Sequence, residues 1–186
     1  EIHGEWARIH DTQRPVIDAT GKVTLLQQSA VSSFLLGTRY LTARDTTYIF
    51  EYYRNGPGYN ENELQSFYRY VDTAYAQFAG SGNGALLERA ASLGRSGVSR
   101  PNPGRDYLYL RVSQKEPFDI LYFTPSITVI ANANDRSHSV APEVLYTGIN
   151  NLELRARVFL LQGDQYTEFG ERVNSSRLEL QARLYF

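Results

Sequence analysis

Apolar and polar residues alternate strictly along the last nine positions of the chain. One face carries Leu178, Leu180, Ala182, Leu184 and Phe186, and the other carries Glu179, Gln181 and Arg183. Successive side chains of a β-strand point to opposite faces. The alternation therefore predicts a strand with one apolar face and one polar face.

The same period of two, or a β-rich composition, recurs along the chain and predicts about eight strands. They cover Ile2–His10, Ser33–Thr42, Thr46–Arg54, Asp106–Gln114, Phe118–Asn132, Ser139–Gly148, Asn151–Gln162 and Arg177–Phe186. Short turns at 42–46, 114–117 and 148–151 alternate without exception with longer connections at 10–31, 55–105, 132–138 and 162–176. This alternation is typical of a membrane meander with its turns at one surface and its loops at the other.

The longest connection, residues 55–105, departs from the β pattern. Glu61–Ala79 predicts an amphipathic helix, with Asn60 as its N-cap and Glu63 three residues further on. Ala85–Leu93 predicts a second, shorter helix, and a loop rich in Gly, Ser, Pro and Asn follows it. Such a segment can fold into a pore, lie over its mouth, bind a partner outside, or be an ordinary surface loop.

Composition narrows the function classes. No window approaches ~18 consecutive apolar residues, and the mean hydropathy is -0.41, which excludes a helical membrane protein but not a barrel. The net charge of -1 gives no basic surface for nucleic acid, so no nucleic-acid partner is expected. The absence of cysteine excludes disulfides and thiolate metal sites. The 14 Tyr, 9 Phe and 1 Trp suit the aromatic girdles of barrels, although Tyr also favours strands in general.

The terminal strand, which ends the chain on Phe186, resembles the closing strand of Gram-negative outer-membrane β-barrel proteins. The resemblance implies an all-β fold: an antiparallel transmembrane β-barrel meander in the bacterial outer membrane. The whole chain, 1–186, would be one barrel domain or part of one, with 55–105 as a partly helical extracellular loop. It further implies that the barrel assembly machinery recognises the last strand, through Leu180, Leu184 and Phe186.

Charged residues within the spanning strands are expected to point into the barrel. An Arg or Lys facing the bilayer midplane would cost ~2 to 4 kcal/mol. The period of two then predicts a lumen lined by Arg39, Glu51, Arg111, Glu143, Glu153, Arg155, Arg157, Glu179 and Arg183. Arg8 falls on the lipid side, which fits only a position near the loop-side interface.

These side chains would fill a small barrel with ion pairs or line water in a wider one. Because so many long charged side chains crowd the smallest barrel, and because strand pattern starts directly at Glu1, we expect the chain to be the C-terminal part of a larger barrel.

Three functions fit this pattern. The first is a porin-like channel that passes a small solute with weak selectivity, with outer-membrane lipid around it. The second is a non-conducting scaffold that anchors surface loops or encloses a protein partner, such as an electron-transfer protein. The third is an outer-membrane hydrolase, but the only imidazole bases, His3, His10 and His138, lie in no catalytic motif, so no enzyme is expected. No cofactor or metal is expected either.

Overall fold

The computed structural model describes residues 1–18 and 20–186 and contains one sheet of eight antiparallel strands. The strands are β1 (Ile2–Ile17), β2 (Val23–Leu41), β3 (Thr46–Arg54), β4 (Asp106–Gln114), β5 (Phe123–Asn132), β6 (His138–Ile149), β7 (Leu152–Gln162) and β8 (Ser176–Leu184). Each strand pairs with its neighbours in sequence, so the sheet is a simple meander. The all-β antiparallel fold with about eight strands is confirmed.

The first two strands are much longer than the sequence pattern predicts. The connection predicted over residues 10–31 is a hairpin: β1 continues to Ile17 and β2 starts at Val23. The Asp18 carboxylate accepts hydrogen bonds from the Thr20 amide at 2.9 Å and the Lys22 amide at 3.0 Å, which stabilises the turn. Sequence reasoning missed this part of the hairpin because it extends beyond the two-faced region and needs no apolar alternation.

The connection between β4 and β5 is also different from the prediction. The sequence predicts a strand at Phe118, but residues 117–119 form a short 3-10 turn, and Phe118 and Asp119 have left-handed backbone angles. β5 therefore starts only at Phe123. The β4–β5 connection is longer than the β5–β6 connection at 133–137, so the strict alternation of short and long connections is wrong.

The connections nevertheless lie at two distinct ends of the sheet. The loop end carries the β1–β2, β3–β4, β5–β6 and β7–β8 connections, and the turn end carries the other three. The sheet is open, since β1 and β8 are not paired with each other among the described strands. The structure thus establishes the meander and leaves its two outer edges free.

The strand register gives the sheet an apolar face. Its exposed side chains include Leu36, Phe50, Leu108, Leu110, Ile127, Val144, Leu154, Leu160, Leu178 and Leu180. Nine residues, Leu152–Leu160, span ~27 Å along β7. No described element packs over this face, and Leu180 remains 72% exposed.

Aromatic side chains border the apolar face at both ends. Near the turn end lie Tyr40, Tyr48, Phe123 and Tyr146, and near the loop end lie Trp6, Phe34 and Tyr52. Beyond the loop-end aromatics the face turns polar. Arg54 pairs with Asp106 at 3.1 Å, and Arg8, opposite Ser32, lies past Trp6 in the same direction. The register therefore places Arg8 at the loop end.

The helical segment, residues 55–105, lies at the loop end. It contains α1 (Glu61–Ser81), α2 (Ala85–Leu93) and a π-helical turn at Gly94–Val98, so the two predicted helices are confirmed and the turn replaces predicted loop. Asn60 caps α1: its side chain accepts from the Glu63 amide at 2.9 Å, and the Glu63 carboxylate accepts from the Asn60 amide at 2.7 Å. Within the described part of the chain, neither helix has both the length and the hydropathy to cross a membrane.

The helical segment packs on the extended β1–β2 hairpin. Ile17 contacts a small core that contains Tyr70 of α1 and Ala90 of α2. Beside it, the buried Arg14 of β1 forms an ion pair with Glu63 at 2.9 Å. The helices therefore pack on the extended part of the β1–β2 hairpin, which the sequence analysis did not predict.

Candidate functional site

The polar face of the sheet carries every charged residue predicted for the lumen. By register, Arg39 of β2 and Glu51 of β3 share this face with Arg111 of β4 and Glu143 of β6. The β7 and β8 residues Glu153, Arg155, Arg157, Glu179 and Arg183 follow on the same face. The arrangement on one face is observed, and the assignment of that face to a lumen stays a prediction.

Glu143 lies at the centre of an arginine cluster. Only 6% of the residue is exposed. Arg111 donates to its carboxylate at 3.2 Å, Arg157 donates to it from Nε at 2.6 Å, and Arg155 lies 4.0 Å away. Because one carboxylate cannot neutralise three guanidinium groups, the cluster keeps a net positive charge.

The cluster continues along β7 and β8. Glu153 accepts from Arg155 at 3.3 Å and lies 3.9 Å from Arg183, so two glutamates alternate with the arginines. Glu179 does not join them; it pairs with Arg177, which is on its own strand, at 3.3 Å. Sequence reasoning missed Arg177 as part of this surface, although the same period of two places it there.

Arg39 and Glu51 lie apart from the arginine cluster. Glu51 contacts His3 at 3.2 Å across Gly37, where a side chain larger than hydrogen would overlap the His3 imidazole. Arg39 has no ion-pair partner within residues 1–18 and 20–186. The structure thus divides the predicted set into a small mixed group on β1–β3 and an arginine-rich group on β4–β8.

A second buried polar cluster lies at the loop end. Glu168, in the β7–β8 connection, is 1% exposed. Its carboxylate accepts from the Tyr107 hydroxyl at 2.6 Å and from Asn132 at 2.9 Å, and its backbone amide donates to Asp135 at 2.7 Å. The cluster joins the β5–β6 and β7–β8 connections to β4 and β5. Nothing in the sequence indicated it, because a glutamate in a polar loop normally faces water.

Burial changes the acid–base behaviour of this second cluster. It raises the pKa of Glu168 above the usual glutamate range, although the bonds from Tyr107 and Asn132 partly oppose the shift. Arg172 lies 3.7 Å from the same carboxylate and also favours the charged form. On α1, burial raises the pKa of the Tyr68 hydroxyl, and the charge of Glu168 adds to the effect.

Helix α1 connects the first hairpin to the last connection. At one point Glu63 binds Arg14 of β1, and nine residues later Asp72 accepts a hydrogen bond from the Tyr166 hydroxyl at 3.0 Å. Arg69 lies over the Tyr166 ring, 5.2 Å from its centre. The helical segment therefore extends across the loop end.

The residues predicted as the assembly signal lie on β8 and just after it. Leu180 faces Ala156 and Leu184 faces Leu152 on the apolar face, and both are exposed. Phe186 follows the end of β8 and is fully exposed. The geometry makes all three accessible to a partner.

The histidines form no catalytic arrangement in the described residues. His138 contacts the Gln162 side chain at 3.0 Å and His3 contacts Glu51, with no hydroxyl nucleophile bonded to either ring. Across residues 1–18 and 20–186, no three His, Asp or Glu side chains are grouped to hold a metal ion.

Comparisons with protein-family models, with curated proteins and with solved structures found no match to this chain.

The central role of Glu143 can be tested by Glu143→Gln. We expect the free energy of unfolding to fall by about 2–4 kcal/mol, because the three arginines then lose the negative charge that offsets their mutual repulsion. Urea unfolding of the refolded protein, followed by circular dichroism, measures the change. The matched control is Glu179→Gln, which removes an exposed pair and should cost at most ~1 kcal/mol. Equal losses for the two variants would contradict the central role.

Glu168 should make the loop end sensitive to pH. Its folded-state pKa is raised, so its contribution to stability is complete below the unfolded-state pKa and is lost as the pH rises through the folded-state value. We expect amide-exchange protection of residues 163–175 to fall across that pH range. Glu168→Gln should abolish the pH dependence, whereas Glu88→Gln, at an exposed position on α2, should keep it. A pH response that persists in Glu168→Gln would exclude Glu168 as its source.

Proposed function

We propose that this chain forms the wall of a β-barrel in a Gram-negative outer membrane, through which small solutes pass with weak charge selectivity. The supporting observation is the contrast between the two faces of the sheet. One face is apolar and uncovered, and the other carries most of the charged side chains of the strands. The family assignment, the membrane location and the transport role all rest on this contrast and on the terminal strand.

Hydrocarbon is the medium that best suits the apolar face. Soluble proteins rarely expose a continuous apolar patch of more than a few hundred Å². Here apolar side chains of seven strands, β2 to β8, are exposed on one face. Aromatic residues border the face at both ends, where a bilayer has its two interfaces. The ~27 Å covered by Leu152–Leu160 matches an apolar band ~25 Å tall.

The free edges of the sheet set a condition on this proposal. In hydrocarbon every backbone N–H and C=O needs a partner, so β1 and β8 must each be paired in the membrane. Closure of the sheet on itself or the addition of further strands would satisfy them. In either case the polar face becomes the inner wall.

The inner wall would favour anions only weakly. The arginine-rich group on β4–β8 contains Arg111, Arg155, Arg157, Arg177 and Arg183 against Glu143, Glu153 and Glu179. The group on β1–β3 contributes Glu5 and Glu51 against Arg39 and so offsets part of this excess. Opposite charges on facing walls give a transverse field that acts on solute charge and dipole.

The helical segment would restrict access from the loop end, and the exposed Leu180, Leu184 and Phe186 would be read by the barrel assembly machinery. The same helices favour a second candidate function, a non-conducting scaffold. Their contacts to β1 and to the β7–β8 connection hold a folded structure above the sheet, on which a partner protein could dock.

The lipid assignment can be tested with single cysteines, because the chain has none. Leu180→Cys is on the apolar face and Gln181→Cys, its neighbour on β8, is on the polar face. We expect an environment-sensitive fluorophore attached to the Leu180→Cys variant to be quenched by nitroxide lipids, and one attached to the Gln181→Cys variant to be quenched by aqueous iodide. If the two quenchers acted equally at both positions, the result would contradict the proposal that lipid contacts only the apolar face.

Channel function can be tested by planar-bilayer recording. Stepwise conductance with a weak anion preference across a KCl gradient is the expected result. Arg155→Gln should move the reversal potential towards cation preference, because it leaves Glu143 and Glu153 less neutralised. Arg8→Gln, at the loop end of the apolar face, should not move it. An absence of current from a fully inserted protein would reject the channel and favour the scaffold.

A further inference from the structure

A cavity of about 520 Å³ lies at the loop end, between the sheet and the helical segment. On the sheet side its wall includes Ile9 and Tyr53, which are on the polar face of β1 and β3. On the other side its wall is the π-helical turn and the loop that follows it to Pro103. Its volume is within the range of sites for small molecules.

Among the described residues, two arginines and no carboxylate line the cavity. Arg14 comes from β1 and Arg100 from the loop after the π-helical turn. The other polar lining residues are uncharged and include Gln13, Asn55 and Asn102. Such a wall favours an anion and offers amide groups for hydroxyls around it.

Arg14 is a fixed part of the wall. It is 8% exposed; its Nη2 donates to both oxygens of Glu63, and its guanidinium lies over the Tyr59 ring, 4.5 Å from the centre. Its Nε and Nη1 have no hydrogen-bond partner in the parts of the chain that the structure describes. Two such donors in a buried guanidinium leave the local potential positive, although Glu63 balances the formal charge.

Arg100 supplies the uncompensated charge. No carboxylate lies within ion-pair distance of it in the described part of the chain. The charge of Arg100 acts on the cavity wall at Tyr59. Burial raises the pKa of the Tyr59 hydroxyl, and the positive charges of Arg14 and Arg100 oppose that shift. Arg100 itself is exposed, so an entering anion can reach it without rearranging the core.

Hydrogen bonds between residues 55–59 and residues 102–104 hold the walls of the cavity together. The Tyr59 amide donates to Pro103 at 2.8 Å, and the Asn55 side chain donates to the carbonyls of Asn102 and Gly104, both at 3.1 Å. A Cβ at Gly97 would overlap the Tyr59 ring, so the turn packs directly on that residue. A preformed cavity loses little ordering entropy when it binds a ligand.

We propose that this cavity binds a small anionic solute, the size of a monosaccharide, that carries one carboxylate or phosphate. Arg100 would pair with the anionic group, Arg14 would add its positive potential, and the amides would take the hydroxyls. Binding at this site requires the cavity and its positive charge but does not require that the protein conducts ions. Ligand binding and channel activity are therefore tested in separate experiments.

The test uses the full chain refolded in detergent and ligand-observed NMR titrations with three probes: glucuronate, glucose 6-phosphate and glucose. We expect both anions to bind at least about tenfold more tightly than glucose. Arg100→Gln should weaken anion binding by about tenfold. The matched control is Arg95→Gln, at an exposed position of the π-helical turn that does not line the cavity, and it should leave the affinity unchanged.

Ser96→Trp adds a steric arm to the experiment, because Ser96 is exposed and lines the cavity. It should abolish binding of both anions without removing a charge. Equal affinity for glucose and glucuronate would overturn the proposal, and so would equal losses in Arg95→Gln and Arg100→Gln, which would indicate general surface charge. Anion binding by a protein that carries no current would keep this site and reject the channel.

Discussion

The ion pairs between Glu143 and its arginine neighbours are the interaction on which the polar face of the sheet most depends. On β4 to β8 most charged side chains point to one face of the sheet, which brings several guanidinium groups within a few ångströms of one another. The carboxylate of Glu143 reaches three of them from one position. The period of two that places apolar residues on one face also places the arginines side by side on the other face. Without the Glu143 carboxylate between them, these arginines would repel one another.

The loop end is built differently from the two-faced part of the sheet. At the loop end the chain buries side chains by packing its own elements against one another. Ile17, Tyr70 and Ala90 form a small core there, and Glu168 is enclosed among hydrogen-bond donors. The molecule thus combines a sheet that has one uncovered apolar face with a compact region that is stabilised by its own packing.

Sequence periodicity predicted the sheet well and the loop end poorly. The alternation along β7 and β8 fixes both strands and their faces, since a shift by one residue would reverse every side chain. Helix α1 was predictable because its capping by Asn60 and Glu63 is a signal between neighbouring residues. By contrast, the extension of β1 to Ile17 and the burial of Glu168 depend on contacts between residues far apart in sequence. The 3-10 turn at Phe118 was missed because its aromatic residue suits a strand as well.

The position of α1 imposes an order on folding. The helix is encoded between β3 and β4, yet Asp72 meets Tyr166, 94 residues further along the chain. That contact cannot form until the last connection is in place, and closing so large a loop is entropically unfavourable until the intervening strands have shortened it. The docking of α1 onto the β7–β8 connection is therefore expected to follow the pairing of the strands that lie between them in sequence.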